Sequence, residues 1–126
     1  MTGATTTTRT RQRVAIPKAD LPPGAWKVIT VRRREIVVVN DDGRLYALFN
    51  RCPHQQAPLS AGRMCGTSDP GPVGTFSFDP AHRVLRCPWH HYEFELSSGR
   101  CLADPTRLRV ARYDVVQEAE SYVVLV

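Results

Sequence analysis

No stretch of the chain approaches the roughly 20 consecutive apolar residues that a membrane-spanning helix requires. The Thr- and Arg-rich start, Met1 to Arg13, has no apolar run of the kind an export signal needs. The basic run Arg32–Arg34 lies too deep in the chain to serve as one, with only Ile36 to Val39 apolar behind it. A cytoplasmic protein that engages no membrane is therefore expected. No window sustains a helical period, and no internal repeat is present. The basic surplus is small: 17 Lys and Arg against 12 Asp and Glu, a net charge of +5. It comes without the clustered stacking aromatics or the module that nucleic-acid binding requires, so it reads as a solvated surface. At 126 residues the chain is about one domain long, which excludes an enzyme carrying separate cofactor and catalytic domains. A hydrophobic fraction of 42% is enough for a small core and too high for global disorder.

Residues 1–13 read as a disordered tail, since Thr and Arg alternate there with almost nothing to bury; residues 14–126 read as the domain. Pro22-Pro23-Gly24 is loop punctuation, followed by β-type runs Trp26 to Val31 and Glu35 to Asn40. Trp26 alternates with apolar neighbours, which predicts a core position. Asp41-Asp42-Gly43 turns the chain into Leu45 to Phe49, a hairpin with strong local signals. Residues 50–74 are loop-rich, with Pro53, Pro58, Pro70 and Pro72. Thr75 to Phe78 and Arg83 to Arg86 predict a second hairpin, turning at Asp79-Pro80-Ala81-His82, where His82 would be solvated. Strands are expected over Tyr92 to Leu96, Leu108 to Val116 and Tyr122 to Val126, with turns at Ser97-Ser98-Gly99 and Gln117–Ser121. The fold class is all-β, a single domain of short antiparallel strands in small packed sheets.

All four histidines and three of the four cysteines fall between residues 52 and 91. Two compact motifs stand out there, Cys52-Pro53-His54 and Cys87-Pro88-Trp89-His90. Each offers one soft thiolate and one imidazole on a loop that follows a β-strand. Proline beside each cysteine stiffens the loop and reduces the entropy lost when a metal closes the site. Without an export signal, four cysteines point to metal or redox chemistry before disulfides. Zinc modules usually pair Cys with Cys and His with His, whereas each half here is mixed, C-x-H and then C-x-x-H.

That arrangement resembles the Rieske iron–sulfur motif, in which two Cys hold one iron and two His the other. Carried over residue by residue, the resemblance implies that Cys52 and Cys87 bind the first iron and His54 and His90 the second, as one [2Fe-2S] cluster. It extends from about Leu21 to Val126 and covers Ile36–Phe49, Asn50–His54, Ala57-Pro58-Leu59-Ser60 and Phe94–Arg100. The domain it implies is a small all-β fold with the cluster held at one end by two loops, about 50–64 and 86–92. Two departures stand out. The 32 residues between His54 and Cys87 (55–86) are more than the family usually has, which marks an insertion at about 64–86. The glycine usual after the last ligand is His91, so His91 competes with His90, and the C-x-x-H spacing favours His90. The loop-to-loop disulfide of the quinol-oxidising branch would need cysteines where Ala57 and Trp89 stand, leaving Cys65 and Cys101 as free thiols. Hydroxyl donors of the high-potential branch would fall at Tyr92 and Phe94, which predicts the low end of the range of about −150 to +300 mV.

The resemblance implies a ferredoxin passing single electrons from a reductase to a separate terminal oxygenase or similar enzyme. A cluster with four protein ligands has no open position, so catalysis by this chain alone is not expected. His82 and His91 are the only spare histidines for a mononuclear iron. The alternative is a cluster-bearing small subunit of a multi-subunit oxidoreductase, like those of nitrite reductases; a structural zinc module ranks behind both. A monomer is favoured. His54 and His90 would lie at an exposed tip ringed by Pro53, Pro58, Pro88 and Trp89, where Trp89 either shields the cluster or faces a partner. Arg51, Arg63 and Arg86 nearby would steer an acidic partner surface or simply solvate the loops.

Overall fold

In the computed structural model the described residues are 11–53, 57–70, 76–88, 92–104 and 106–126, with the backbone alone for 66–70 and 76–82. The strands are β1 (Arg13–Pro17), β2 (Trp26–Val31), β3 (Arg34–Asp41), β4 (Arg44–Phe49), β5 (Arg63–Pro70), β6 (Phe76–Arg86), β7 (Glu93–Glu95), β8 (Arg112–Gln117) and β9 (Ser121–Leu125). They form a six-stranded sheet in the order β1-β9-β8-β4-β3-β2 and a three-stranded sheet β5-β6-β7. Every pairing is antiparallel. The all-β expectation holds.

The unbroken apolar run in β3 has a simple cause: the strand is covered on both faces. Ile36 and Val38 join one buried cluster with Ile16, Leu21, Val31, Ala47 and Val124. Val37 and Val39 join the other, with Leu48, Leu59, Leu85, Phe94, Leu96 and Val110. The second cluster lies between the two sheets, and the cysteine loops are rooted in it. Asp42 and Gly43, with φ of 54° and 94°, make the β3–β4 turn that the sequence announces. Arg32 and Arg33 make the β2–β3 turn with φ of 51° and 68°, where two bulky residues give no turn signal.

Four readings are corrected. The second hairpin does not turn at Asp79–His82: residues 76–86 are one long strand paired to β5, with the reversal at 71–75, outside the described residues. The register jumps so that Gly66 faces Arg83 and Thr67 faces Asp79, leaving Pro80, Ala81 and His82 as a bulge. A proline without an N–H is tolerated at such a point. Trp26 is not a core residue but 36% exposed, because β2 is the edge strand. The expected tail reaches too far, since Gln12 exchanges backbone hydrogen bonds with Val126 and Arg13 opens β1. The long strand expected over Leu108 to Val116 is confined to β8, with Arg109 making only an isolated bridge to Arg100.

The sheets are tied at one end by a buried charge. Arg83 Nε donates to both Asp41 carboxylate oxygens, at 3.1 and 2.9 Å, joining β6 to the end of β3. That bond raises the Arg83 pKa above its ordinary value despite the opposing desolvation.

Candidate metal centre

Both cysteine loops are closed in the same way. Cys52 N–H donates to the Ala57 carbonyl at 2.7 Å, and Cys87 N–H donates to the Tyr92 carbonyl at 2.7 Å. Each bond spans five residues onward from a cysteine, and each enclosed segment contains one histidine of the motif. Cys52 and Cys87 are 0% and 1% exposed and belong to one buried cluster between the sheets. The two loops thus root their cysteines in the same buried cluster. His54 and His90, with Trp89 and His91, lie outside the described residues. None of the four cysteines is in a disulfide, as expected for Cys65 and Cys101. Ala57, at the position where the other branch has a disulfide cysteine, is buried in the core. Among the described residues no group of three or more His, Cys, Asp and Glu side chains gathers to hold a metal.

The donor chemistry fits a cluster. Two buried thiols on stiff, separately closed loops offer the soft half of a mixed Cys₂His₂ set, and the sequence puts an imidazole inside each closure. Three cysteines, Cys52, Cys87 and Cys101, share this core without a disulfide, and of these Cys52 and Cys87 alone stand in a Cys-Pro motif beside a histidine.

Sequence reasoning missed the parts that hold the first loop. Asn50, 1% exposed, follows β4 and clasps the far end of the loop. Its Oδ1 accepts from Ser60 N–H at 2.7 Å and its Nδ2 donates to Ser60 Oγ at 2.9 Å. Trp26 Nε1 donates to the Ser60 carbonyl at 3.2 Å, so the exposed edge-strand indole is a strap on the same point. Asn50 and Ser60 do stand in the matched motif segments, but hydrogen bonds across ten residues leave no mark in a sequence.

The two loops are set against each other at Gly62. A Cβ there would meet the Arg86 carbonyl oxygen at 1.8 Å, so only the missing side chain lets the segments approach. Arg63 and Arg86 face each other across β5 and β6, and Arg86 faces Glu93 on β7. Arg86 donates to Glu93 at 2.7 Å, which holds the guanidinium above its ordinary pKa against desolvation. The steering role expected of Arg86 is therefore weakened, since its charge is largely matched by Glu93. Arg51 and Arg63 are exposed. Ala61, Gly62, Arg63, Arg86, Cys87 and Pro88 line a cavity of about 260 Å³. Of the two positions where a hydroxyl would raise the potential, Phe94 is wholly buried and Tyr92 is packed against the core.

The model of the Rieske [2Fe-2S] domain family matches residues 12–114. The naphthalene 1,2-dioxygenase system ferredoxin component of Pseudomonas aeruginosa is 26% identical over 84% of this chain and 86% of its own. The ferredoxin of carbazole 1,9a-dioxygenase from Nocardioides aromaticivorans IC177 superposes with a TM-score of 0.68 and 28% identity, over 92% and 97% of the two chains. A structure assigned to the small subunit of an NADH-dependent nitrite reductase from Mycobacterium tuberculosis has a TM-score of 0.69 at 22% identity, over 91% and 94%. At that identity it shares the fold alone.

Proposed function

The chain belongs to the Rieske [2Fe-2S] domain family, and from that membership we propose that Cys52, His54, Cys87 and His90 hold one [2Fe-2S] cluster. The chain is a ferredoxin that carries single electrons from a reductase to a separate terminal oxygenase. The observation that carries this reading is the pair of identically closed loops delivering two buried thiols to one core. When bound, the cluster supplies a reversible one-electron couple and leaves no open coordination position for substrate.

This chain's own residues do three things for that couple. Asn50, Ser60 and Trp26 fix the first loop, and Gly62 fixes its distance from the second. Leu59, Leu85 and Phe94 exclude water from the thiol side. Pro53 and Pro88 stand at the turns just after the cysteines, next to the imidazole positions from which electrons would leave. Relatives named as ferredoxin components of dioxygenase systems make a reductase and an oxygenase the partners, and a solved complex pairs such a ferredoxin with its oxygenase. Work in the cytoplasm fits this role.

The ligand register is tested by substitution. His90→Ala yields chain with little iron, and His91→Ala keeps two irons, two sulfides and the reduced-state EPR signal; the reverse outcome would refute the assignment. With Phe94 and Tyr92 where hydroxyl donors would stand, the midpoint lies at the low end of the family range, and voltammetry giving a value well above zero contradicts this. The nitrite-reductase-like reading shares the fold, so binding decides: co-purification in fixed stoichiometry favours a subunit, reversible association the carrier.

A further inference from the structure

Among the described residues, β2 leaves one rim of the larger sheet without a strand partner. Which of its groups face outward follows from the ladder. Asn40 N–H donates to the Ala25 carbonyl at 2.9 Å, and bonded pairs alternate along an antiparallel pair. Lys27, Ile29 and Val31 therefore bond to β3, while Trp26, Val28 and Thr30 point their N–H and C=O groups away from it. The side chains of those three residues are exposed too, and Trp26 and Val28 are large apolar ones. The rim has neither a proline nor a bulge to blunt it. Its one charge is Lys27, 4.0 Å from Asp20.

The rim ends in the Arg32–Arg33 turn. Both arginines are exposed and hold φ of 51° and 68°, where Asn-Gly would sit without strain. Strain of this kind gathers at binding sites, and what the strained residues supply here is positive charge. The rim also flanks the first cysteine loop. Trp26 Nε1 donates to the Ser60 carbonyl at 3.2 Å, and the Glu35 carbonyl, beside the turn, accepts from Asn50 N–H at 2.9 Å.

Resting on the carrier reading above, we propose that β2 is a docking strand, to which a redox partner adds an extended acidic segment. Donors and acceptors alternating along three residues are matched by a peptide strand, and not by a phosphate or a lipid surface. Trp26 and Val28 take apolar side chains of that segment, and Lys27, Arg32 and Arg33 call for acidic ones beside them. A second copy of this chain would bring the same basic residues to the pairing, in a chain of net charge +5, and is the poorer match.

The test is electron transfer from the cognate reductase to the cluster-loaded chain and from the chain to the oxygenase, followed by stopped-flow absorbance across a salt series. Val28→Pro removes an outward N–H without breaking a bond to β3. With at least one partner the half-saturating concentration rises about fivefold at every salt concentration, the effect of about one lost hydrogen bond. Thr30→Pro removes the next outward N–H and takes its place if Val28→Pro does not fold. Arg32→Asn with Arg33→Gly keeps the turn and slows association with the same partner about tenfold at low salt, a difference that vanishes at high salt. Arg32→Lys with Arg33→Lys behaves as the parent, and so does Arg44→Gln, at the other end of β3. A response to only one of the two kinds of variant overturns the proposal, and so does indifference to both. Sedimentation showing a dimer that Val28→Pro dissolves gives the rim to a second copy and overturns it too. If the loaded chain exchanges no electrons with either partner, the carrier reading itself fails and takes this inference with it, which separates the two failures.

Discussion

Replacing Gly62 with alanine tests how the two cysteine loops are spaced. The φ of Gly62 is −90°, so no left-handed turn calls for glycine here, and the substitution is read through the added Cβ. A methyl group at 1.8 Å from the Arg86 carbonyl oxygen must retreat by at least 1.2 Å to reach the 3.0 Å floor of real contacts. The Leu59 carbonyl oxygen, at 3.1 Å, blocks retreat on another side. Overpacking of a core costs about 1–3 kcal/mol when side chains can give way. Here the obstacle is backbone in a paired strand, which puts the cost at about 3 kcal/mol or more. For a domain of this size that is roughly 10 °C in Tm. Because Arg86 immediately precedes Cys87, the displacement also reaches the second thiol, so iron content falls below two per chain. Thermal melts by circular dichroism and iron and sulfide analysis on the same sample read both effects. Gly24→Ala is the control: its φ of +88° carries strain, but its Cβ would meet nothing within 4 Å. It costs about 1–2 kcal/mol and leaves the iron in place. A Gly62→Ala chain melting within a degree or two of the parent, fully loaded with iron, would refute the spacing argument.

Asn50→Ala strands the Ser60 N–H and costs about 2–3 kcal/mol; the loosened loop surrenders iron to a chelator faster, measured by loss of visible absorbance. Arg83→Met leaves the Asp41 carboxylate buried without its partner and costs about 3 kcal/mol in urea unfolding, whereas the double variant Asp41→Leu with Arg83→Met recovers most of it. Equal losses in single and double variants would contradict the clamp. Arg32→Asn with Arg33→Gly places residues suited to positive φ in the β2–β3 turn, gaining about 1 kcal/mol and raising Tm by about 4 °C; an unchanged melt would mean that the arginines are not strained there.

The parts of this protein legible in the sequence are those whose cause is local. Asp42-Gly43 between alternating strands gives its hairpin away, and Glu35–Asn40 is readable as a strand, though not as one covered on both sides. The two Cys-Pro motifs are legible because ligand spacing is short-range chemistry. What was hidden depends on distant partners. The β5–β6 pairing is set by a register jump around Pro80, and prolines otherwise read as loop. Trp26 followed the alternation of a buried strand, yet nothing local reveals that β2 is the edge. The Asn50–Ser60 clasp and the Gly62 contact exist only after both loops are in place.

The long β5–β6 pairing continues beyond β7, which reaches only Val84 to Arg86. Among the described residues, 67–70 and 76–79 therefore pair with each other alone, as a two-stranded ribbon whose outer rims have no strand partner. Such rims are templates on which other chains can add strands and start an aggregate. Pro70 and Pro80 remove amide donors along them, and the bulge at 80–82 breaks the straight edge a foreign strand would need. The prolines that made this stretch read as loop thus act as sentries against self-association along a ribbon that no third strand covers.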